Sequence, residues 1–216
     1  MHTQERLKRI EYILSYKQPT LQVMLDNVHS SQNLSAIIRS CDAVGVLDIY
    51  YNTKENVSLK IHKTITQGAH RWVQRHRVND ADKLSFLKQK KGQGFQVLIT
   101  HLDEKAISFR KIDYTKPTLL VMGNEKEGVS KEIIDVADEV IMVPMQGMVQ
   151  SLNVSVATAL ILYEAQRQLE NAGKYALPQI SFQKREEIKE AWIYRDTIAR
   201  KSKGQIPLVL DEEINF

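Results

Sequence analysis

The chain has a single cysteine, Cys41, in 216 residues. One thiol excludes an internal disulfide framework and supplies no zinc cluster, so a reducing cytosol is the expected compartment. Cys41 falls on the apolar stripe of its helix, which marks it as core and not as a nucleophile. No apolar run approaches the roughly 20 residues that span a bilayer. The N-terminal stretch Met1-His2-Thr3-Gln4-Glu5-Arg6-Leu7-Lys8-Arg9 lacks the apolar centre of a secretory signal. No Gly-x-Gly-x-x-Gly follows the first expected strand, where the chain reads Asn27-Val28-His29-Ser30-Ser31-Gln32, and no P-loop motif occurs. A standard Rossmann dinucleotide site is therefore disfavoured and a P-loop nucleotide site excluded. His29, His62, His70, His76 and His101 show no metal-ligand spacing, and no metal is assigned. Internal repeats and low-complexity segments are also missing.

What is present is ordinary in bulk: 43% apolar and 26% charged residues, enough for one or two domains. The net charge of +4 is mild, but its distribution is uneven. Positive charge gathers at residues 6–9, 71–77, 88–91 and 195–203, while Asp211-Glu212-Glu213 is acidic. Patches interleaved with Trp72, Trp192 and Tyr194 suit a phosphate backbone with some base stacking. On charge alone, solvated helix faces account for them equally well.

Hydrophobic periodicity predicts a basic helix over 3–16, ended by Pro19, and then an alternation of short strands and helices. Strands are expected at 21–26, 48–51, 72–78, 95–100, 118–122 and 139–143. Helices are expected at 33–44, 59–66, 81–91, 130–137 and 153–171. This order argues for a mostly parallel, doubly wound α/β sheet. Pro178 separates a tail whose residues 181–200 read as helical and basic. The helix over 153–171 has almost no polar face until Glu164 and Gln166, so it is expected to bury one side against a second copy of the chain.

Ligands of open α/β sheets bind beyond the carboxyl ends of strands, and four such ends stand out: Asp26-Asn27-Val28-His29 through to Arg39, Thr100-His101, Gly123 to Gly128, and Val143 to Asn153. Asn33 is expected to cap a helix whose Leu34, Ile37, Ile38, Cys41 and Val44 face the core, with Arg39 on the opposite side. Alone, that helix reads as a solvated arginine and a capping asparagine. Gly123-Asn124-Glu125-Lys126-Glu127-Gly128 is a glycine turn before Ser130, which is expected to cap the next helix; a plain β–α turn fits it as well. Residues 140–155 run from an apolar strand through an uncharged, glycine-containing loop to Ser151, Asn153 and Ser155 at a helix mouth. Such a loop offers backbone donors and acceptors to a small polar ligand, or it is an ordinary connection.

In this order and spacing, Asn33-x5-Arg39, Gly123-x-Glu125-x-x-Gly128 and Val143-Pro144-Met145-x-Gly147-x3-Ser151-Leu152-Asn153-Val154-Ser155 resemble the three motifs of the SPOUT superfamily of RNA methyltransferases. The resemblance covers nearly the whole chain. It implies an α/β fold, a mostly parallel sheet flanked by helices with a C-terminal deep trefoil knot, over residues 19–172. A basic helical extension over 1–18 and a helical tail over 173–216 flank it. It also implies S-adenosyl-L-methionine as cofactor and a homodimer, in the cytoplasm and away from any membrane. The cofactor contacts implied are Thr100, Gly123, Val143 and Leu152. The catalytic residues implied are Arg39, Asn33, Glu125, Ser151 and Asn153, with Asn33, Ser151 and Asn153 holding Arg39 and the loop. Arg6 and Arg9 are the implied RNA contacts. Gln32 departs from the histidine that relatives often carry there. The activity implied is 2′-O-methylation of the ribose of guanosine 18 in the tRNA D-loop. The alternatives are 2′-O-methylation of rRNA and, from another class, a non-catalytic RNA-binding protein. A guanidinium is not deprotonated in proteins, so Arg39 is expected to be necessary without being the base.

Overall fold

The structure, a computed structural model, describes residues 3–53, 59–124 and 127–201. Among the described residues seven strands form one sheet: β1 Leu21–Leu25, β2 Asp48–Tyr51, β3 Gln74–Arg77, β4 Gln96–Thr100, β5 Ile107–Ser108, β6 Thr118–Met122 and β7 Glu139–Met142. Seven α-helices accompany them: α1 Gln4–Ser15, α2 Ser31–Ala43, α3 Lys63–Thr66, α4 Lys83–Gly92, α5 Lys131–Ile134, α6 Val154–Asn171 and α7 Phe182–Lys201. The strand order is β3-β2-β1-β6-β4-β7-β5, and every pairing is parallel.

Burial explains the order. The central strands β1 (Leu-Gln-Val-Met-Leu) and β6 (Thr-Leu-Leu-Val-Met) are buried along their whole length, as strands covered on both faces must be. Their side chains alternate between two layers. Leu21, Val23, Leu25, Leu120 and Met122 join α2 and α6 in one core, while Met24, Leu119 and Val121 join Leu87 of α4 and Ile133 of α5 in the other. The edges are protected differently: β3 is the polar run Gln-Arg-His-Arg, and β5 is two residues long.

The expected alternation of strands and helices is present, and the differences are local. The helix expected to start at Asn33 begins at Ser31, because Ser30 takes the capping position and its Oγ accepts from the Asn33 N–H at 3.2 Å. The helix expected over 59–66 contracts to the single turn α3, and β5 was not anticipated because two residues carry no periodicity. Trp192 is not a stacking platform for bases, and Trp72 is partly buried against it. Trp192 is fully buried and meets Trp72 edge-on at 5.4 Å. They belong to a third cluster, with Ile10, Leu14 and Ile188, in which α1 and α7 pack together from opposite ends of the chain. Lys17 ties this region to the sheet domain, its buried Nζ donating to Asp42 at 2.9 Å and to the Val46 carbonyl at 3.2 Å.

Candidate active site

The carboxyl ends of β4, β6 and β7 open onto a cavity of about 560 Å³, within the range of small-molecule sites. Thr100, Gly123, Val143 and Leu152, drawn from three separate stretches of sequence, all lie on its wall. Ser151 and Asn153 line it as well. His101, Asn124, Glu127 and Gln150 complete the polar lining; His101 stands at a strand end that the sequence marks, and the other three lie within the motif stretches, between their signature residues. Glu125 lies outside the described residues.

The turn after β6 is held tight by its own backbone. Asn124 and Gly128 exchange N–H···O bonds of 3.2 and 3.0 Å, and Gly128 takes the left-handed conformation at φ 70°. A Cβ on Gly123 would come well inside 3.0 Å of the Gly128 carbonyl and the Val129 nitrogen, an approach that real Cβ atoms essentially never make. Glycine at 123 is thus required by the crossing and not by its dihedral. Ser130 occupies the capping position of α5, yet its Oγ makes no capping bond. Its backbone N–H donates instead to Asp26 Oδ2.

The third stretch ends where Asn153 caps α6. Its Oδ1 accepts from Ser155 N–H at 2.9 Å and Ser155 Oγ at 2.6 Å, while its Nδ2 donates to Asn33 Oδ1 at 3.2 Å. One asparagine therefore starts α6 and joins it to α2 beside the cavity. Ser151 is exposed, and Arg39 is exposed on the outer face of α2. The hold expected on Arg39 from Asn33, Ser151 and Asn153 comes from elsewhere: its Nη1 donates to the carbonyl of Ile65 at 3.2 Å. That contact belongs to a series. Ser31 Oγ accepts from Lys60 N–H at 3.0 Å, and the buried Ser35 Oγ accepts from His62 N–H at 2.9 Å. Ser31, Ser35 and Arg39 recur every four residues, so one face of α2 docks the strap 60–65. Beneath the strap, Thr66 and His70 share a buried hydrogen bond of 2.7 Å. Burial, helped by Arg75, Arg71 and Lys63, pulls the His70 pKa down to about 4, so the imidazole is neutral near pH 7. Cys41 is fully buried and its pKa is pushed up to about 12, which removes it from nucleophilic chemistry.

Arg6 and Arg9 sit differently. Arg9 is exposed and lies over Tyr12 at 5.3 Å. Arg6 is engaged within the fold: Nε and Nη2 donate to the fully buried Asp196 at 2.9 and 3.1 Å, and the guanidinium stacks on Trp72. Arg71 donates to the same carboxylate at 2.8 Å. Among the described residues no three His, Cys, Asp or Glu side chains converge as a metal site would need.

A parallel α/β sheet with a cavity walled by three loops, one resting on a polar helix face, is the architecture of a small-cofactor enzyme. The model of the SpoU rRNA methylase family matches residues 20–163, and the chain belongs to this family. A tRNA (guanosine(18)-2′-O)-methyltransferase of Aquifex aeolicus is 48% identical over 93% of this chain and 94% of its own length. Its namesake from Thermus thermophilus is 45% identical over 88% of this chain and 97% of its own. The crystal structure of the A. aeolicus TrmH/SpoU tRNA-modifying enzyme superposes with a TM-score of 0.85 at 49% identity, covering 90% of this chain and 98% of that one. The SpoU methyltransferase AviRb from Streptomyces viridochromogenes, solved with AdoMet, superposes at 0.60 with 26% identity, covering 69% and 60%.

Proposed function

We propose that this protein is a tRNA (guanosine(18)-2′-O)-methyltransferase that uses S-adenosylmethionine. The observation that carries the reading is the meeting of Thr100, Gly123, Val143 and Leu152 on one cavity wall, with Asn153 joining that wall to the helix that bears Arg39. The site fits the cofactor on three grounds. The cavity has the right size, Gly123 keeps side-chain bulk from the crossing, and residues 140–155 carry no charged side chain to repel or trap a cation. Thr100, Gly123, Val143 and Leu152 hold it, and bound there it supplies an electrophilic methyl group on a sulfonium.

The residues then do the following. The ribose 2′-hydroxyl would be presented to that methyl group from the rim of the cavity, beside Ser151 and Asn153. Arg39, permanently charged and exposed, binds the neighbouring phosphate and stabilises the alkoxide as it develops. The Ile65 carbonyl occupies one of its nitrogens and leaves the rest of the fork for the substrate. Asn33 and Asn153 fix the two helices against each other, Ser151 faces the substrate from the rim, and Glu125 accepts a hydrogen bond from the nucleoside. Arg9 grips the tRNA, whereas Arg6 is assigned to binding Asp196. Residues 1–18 and 173–216 are RNA-binding extensions of the catalytic domain 19–172.

The same reading includes a trefoil knot and a homodimer. β7 lies beyond β4, yet α6 packs on α2 at the far side of β6, so the chain after β7 crosses beside the turn 123–130. Passage through that turn produces the knot. Val156, Leu160 and Tyr163 are exposed at 48%, 44% and 54% on one face of α6, beside the exposed loop residues Met148 and Val149. A second copy covers them. No helix among the described residues is long and apolar enough to cross a membrane, and a cytoplasmic location fits a tRNA substrate. Transfer of labelled methyl groups to unmodified transcripts tests the reading: tRNA is labelled and rRNA fragments are not, and the reverse result refutes it.

A further inference from the structure

Asp26 and Asn27, at the tip of β1, are buried to 1% and 6% exposure, yet no step of the proposed chemistry uses them. Both reach across to the turn after β6. Asp26 Oδ2 accepts from the Ser130 N–H at 2.9 Å, and Asn27 Nδ2 donates to Glu127 Oε2 at 3.2 Å. The Glu127 N–H in turn donates to Asn124 Oδ1 at 2.8 Å. Glu127, Gly128 and Asn124 all line the cavity. This wall is therefore secured by a neighbouring strand in addition to its own backbone pairing.

The backbone at Asn27 is suited to the task. Its φ of 53° is left-handed, a conformation that asparagine and aspartate accept more readily than other side-chain-bearing residues. Its N–H donates to Asn52 Oδ1 at 3.0 Å, which pins the tip of β1 to the end of β2. Asn27 Oδ1 has no hydrogen-bond partner among the described residues, so the carboxamide takes its orientation from the bond to Glu127. The same tip leads directly into Ser30, the cap of the helix that bears Asn33 and Arg39.

We infer that Asn27 is a positioning residue: through its bond to Glu127 it holds the Glu127–Ser130 side of the turn where it closes the cofactor cavity. This rests on the S-adenosylmethionine reading of that cavity. A wall in place only a fraction of the time lowers apparent affinity by that fraction. Hydrogen bonds to a carboxylate are stronger than neutral ones, and losing this one is expected to weaken cofactor binding about tenfold.

The test is calorimetric titration of S-adenosylmethionine into the full-length protein and three variants, Asn27→Asp, Glu127→Ala and the double variant Asn27→Asp/Glu127→Gln. The aspartate keeps size and left-handed tolerance but sets two carboxylates against each other. Glu127→Ala changes an exposed side chain, so it leaves the core intact and removes the acceptor. Each single change is expected to raise the dissociation constant about tenfold, with the KM for cofactor rising in both and kcat at saturating cofactor held in Asn27→Asp. In the double variant the new glutamine donates to the new aspartate, which reverses the bond, and affinity is expected to return to within about threefold of the parent. A general loss of fold integrity gives no such rescue. Parental affinity in both single variants overturns the inference, as does a double variant as weak as the weaker single. A parent that gives no heat overturns the cofactor reading and this inference together, and the parent's own trace separates that case.

Discussion

Replacing Gly123 by alanine tests the cavity more severely than any other single change. The added Cβ would press on the Gly128 carbonyl and the Val129 nitrogen, which must retreat to at least 3.0 Å. These atoms cannot yield as a flexible side chain would, because they belong to the backbone that pairs with Asn124 at 3.0 and 3.2 Å. Overpacking of this kind costs about 1–3 kcal/mol, and loss of the two backbone bonds adds about 1 kcal/mol each. The total, about 3–5 kcal/mol, falls on the wall that shapes the cavity. Affinity for S-adenosylmethionine is expected to drop by about a hundredfold or more, since each 1.4 kcal/mol is a factor of ten. The melting temperature is expected to fall by about 6–20 °C as the strain spreads through the domain. Gly92→Ala is the control: no atom lies within 4 Å of its Cβ, and it lies at the end of α4, away from the cavity. Isothermal titration and thermal unfolding of both variants make the measurement. Cofactor affinity in Gly123→Ala within threefold of the parent would refute the crossing as the reason for glycine there.

Arg39→Ala is expected to lower turnover by at least about a thousandfold while cofactor affinity, measured by calorimetry, stays close to the parent, because Arg39 does not line the cavity. Arg39→Lys is not expected to restore it, since an ammonium cannot bind the Ile65 carbonyl and a phosphate with one planar fork. His70 makes stability depend on pH. Its folded pKa of about 4 lies below the ordinary 6.5, so the stabilisation is complete above pH 6.5 and is lost as pH falls toward 4. Denaturant titrations across that window are expected to show the parent losing up to roughly 2–3 kcal/mol more than His70→Gln. Leu160→Glu places a charge in the exposed apolar face of α6; the homodimer proposed above predicts by light scattering a mass of two chains for the parent and one for the variant.

Much of this architecture is legible because burial writes itself into residue order. β1 and β6 read as strands from their apolar runs, and α6 from its long apolar helix. The strap was not legible. Its hold on α2 uses the hydroxyls of Ser31 and Ser35, whose spacing is visible but whose partners are backbone groups of residues 60 and 62. The cap of α2 was misplaced because Ser30 and Asn33 both accept N–H groups well, and tertiary contact of Asn33 with Asn153 decided between them. Trp72, Trp192 and Arg6 looked like an RNA surface because a basic, aromatic composition suits either a nucleic acid or a buried carboxylate. Asp196, remote in sequence, resolves it. Of the candidate site, the positions on the cavity wall are those that the family resemblance implies, and composition or periodicity alone does not single them out. Asn27 and Glu127 both stand at strand ends that the sequence marks, but their pairing, across one hundred residues, is not legible in it.

The most direct measurement is the position of the methyl group. Unmodified tRNA transcript is incubated with the protein and S-adenosylmethionine, digested with ribonuclease and mapped by mass spectrometry. A single 2′-O-methylguanosine at position 18, absent when that guanosine is replaced, is the predicted result. Methylation elsewhere, or methylation that persists after the replacement, contradicts it.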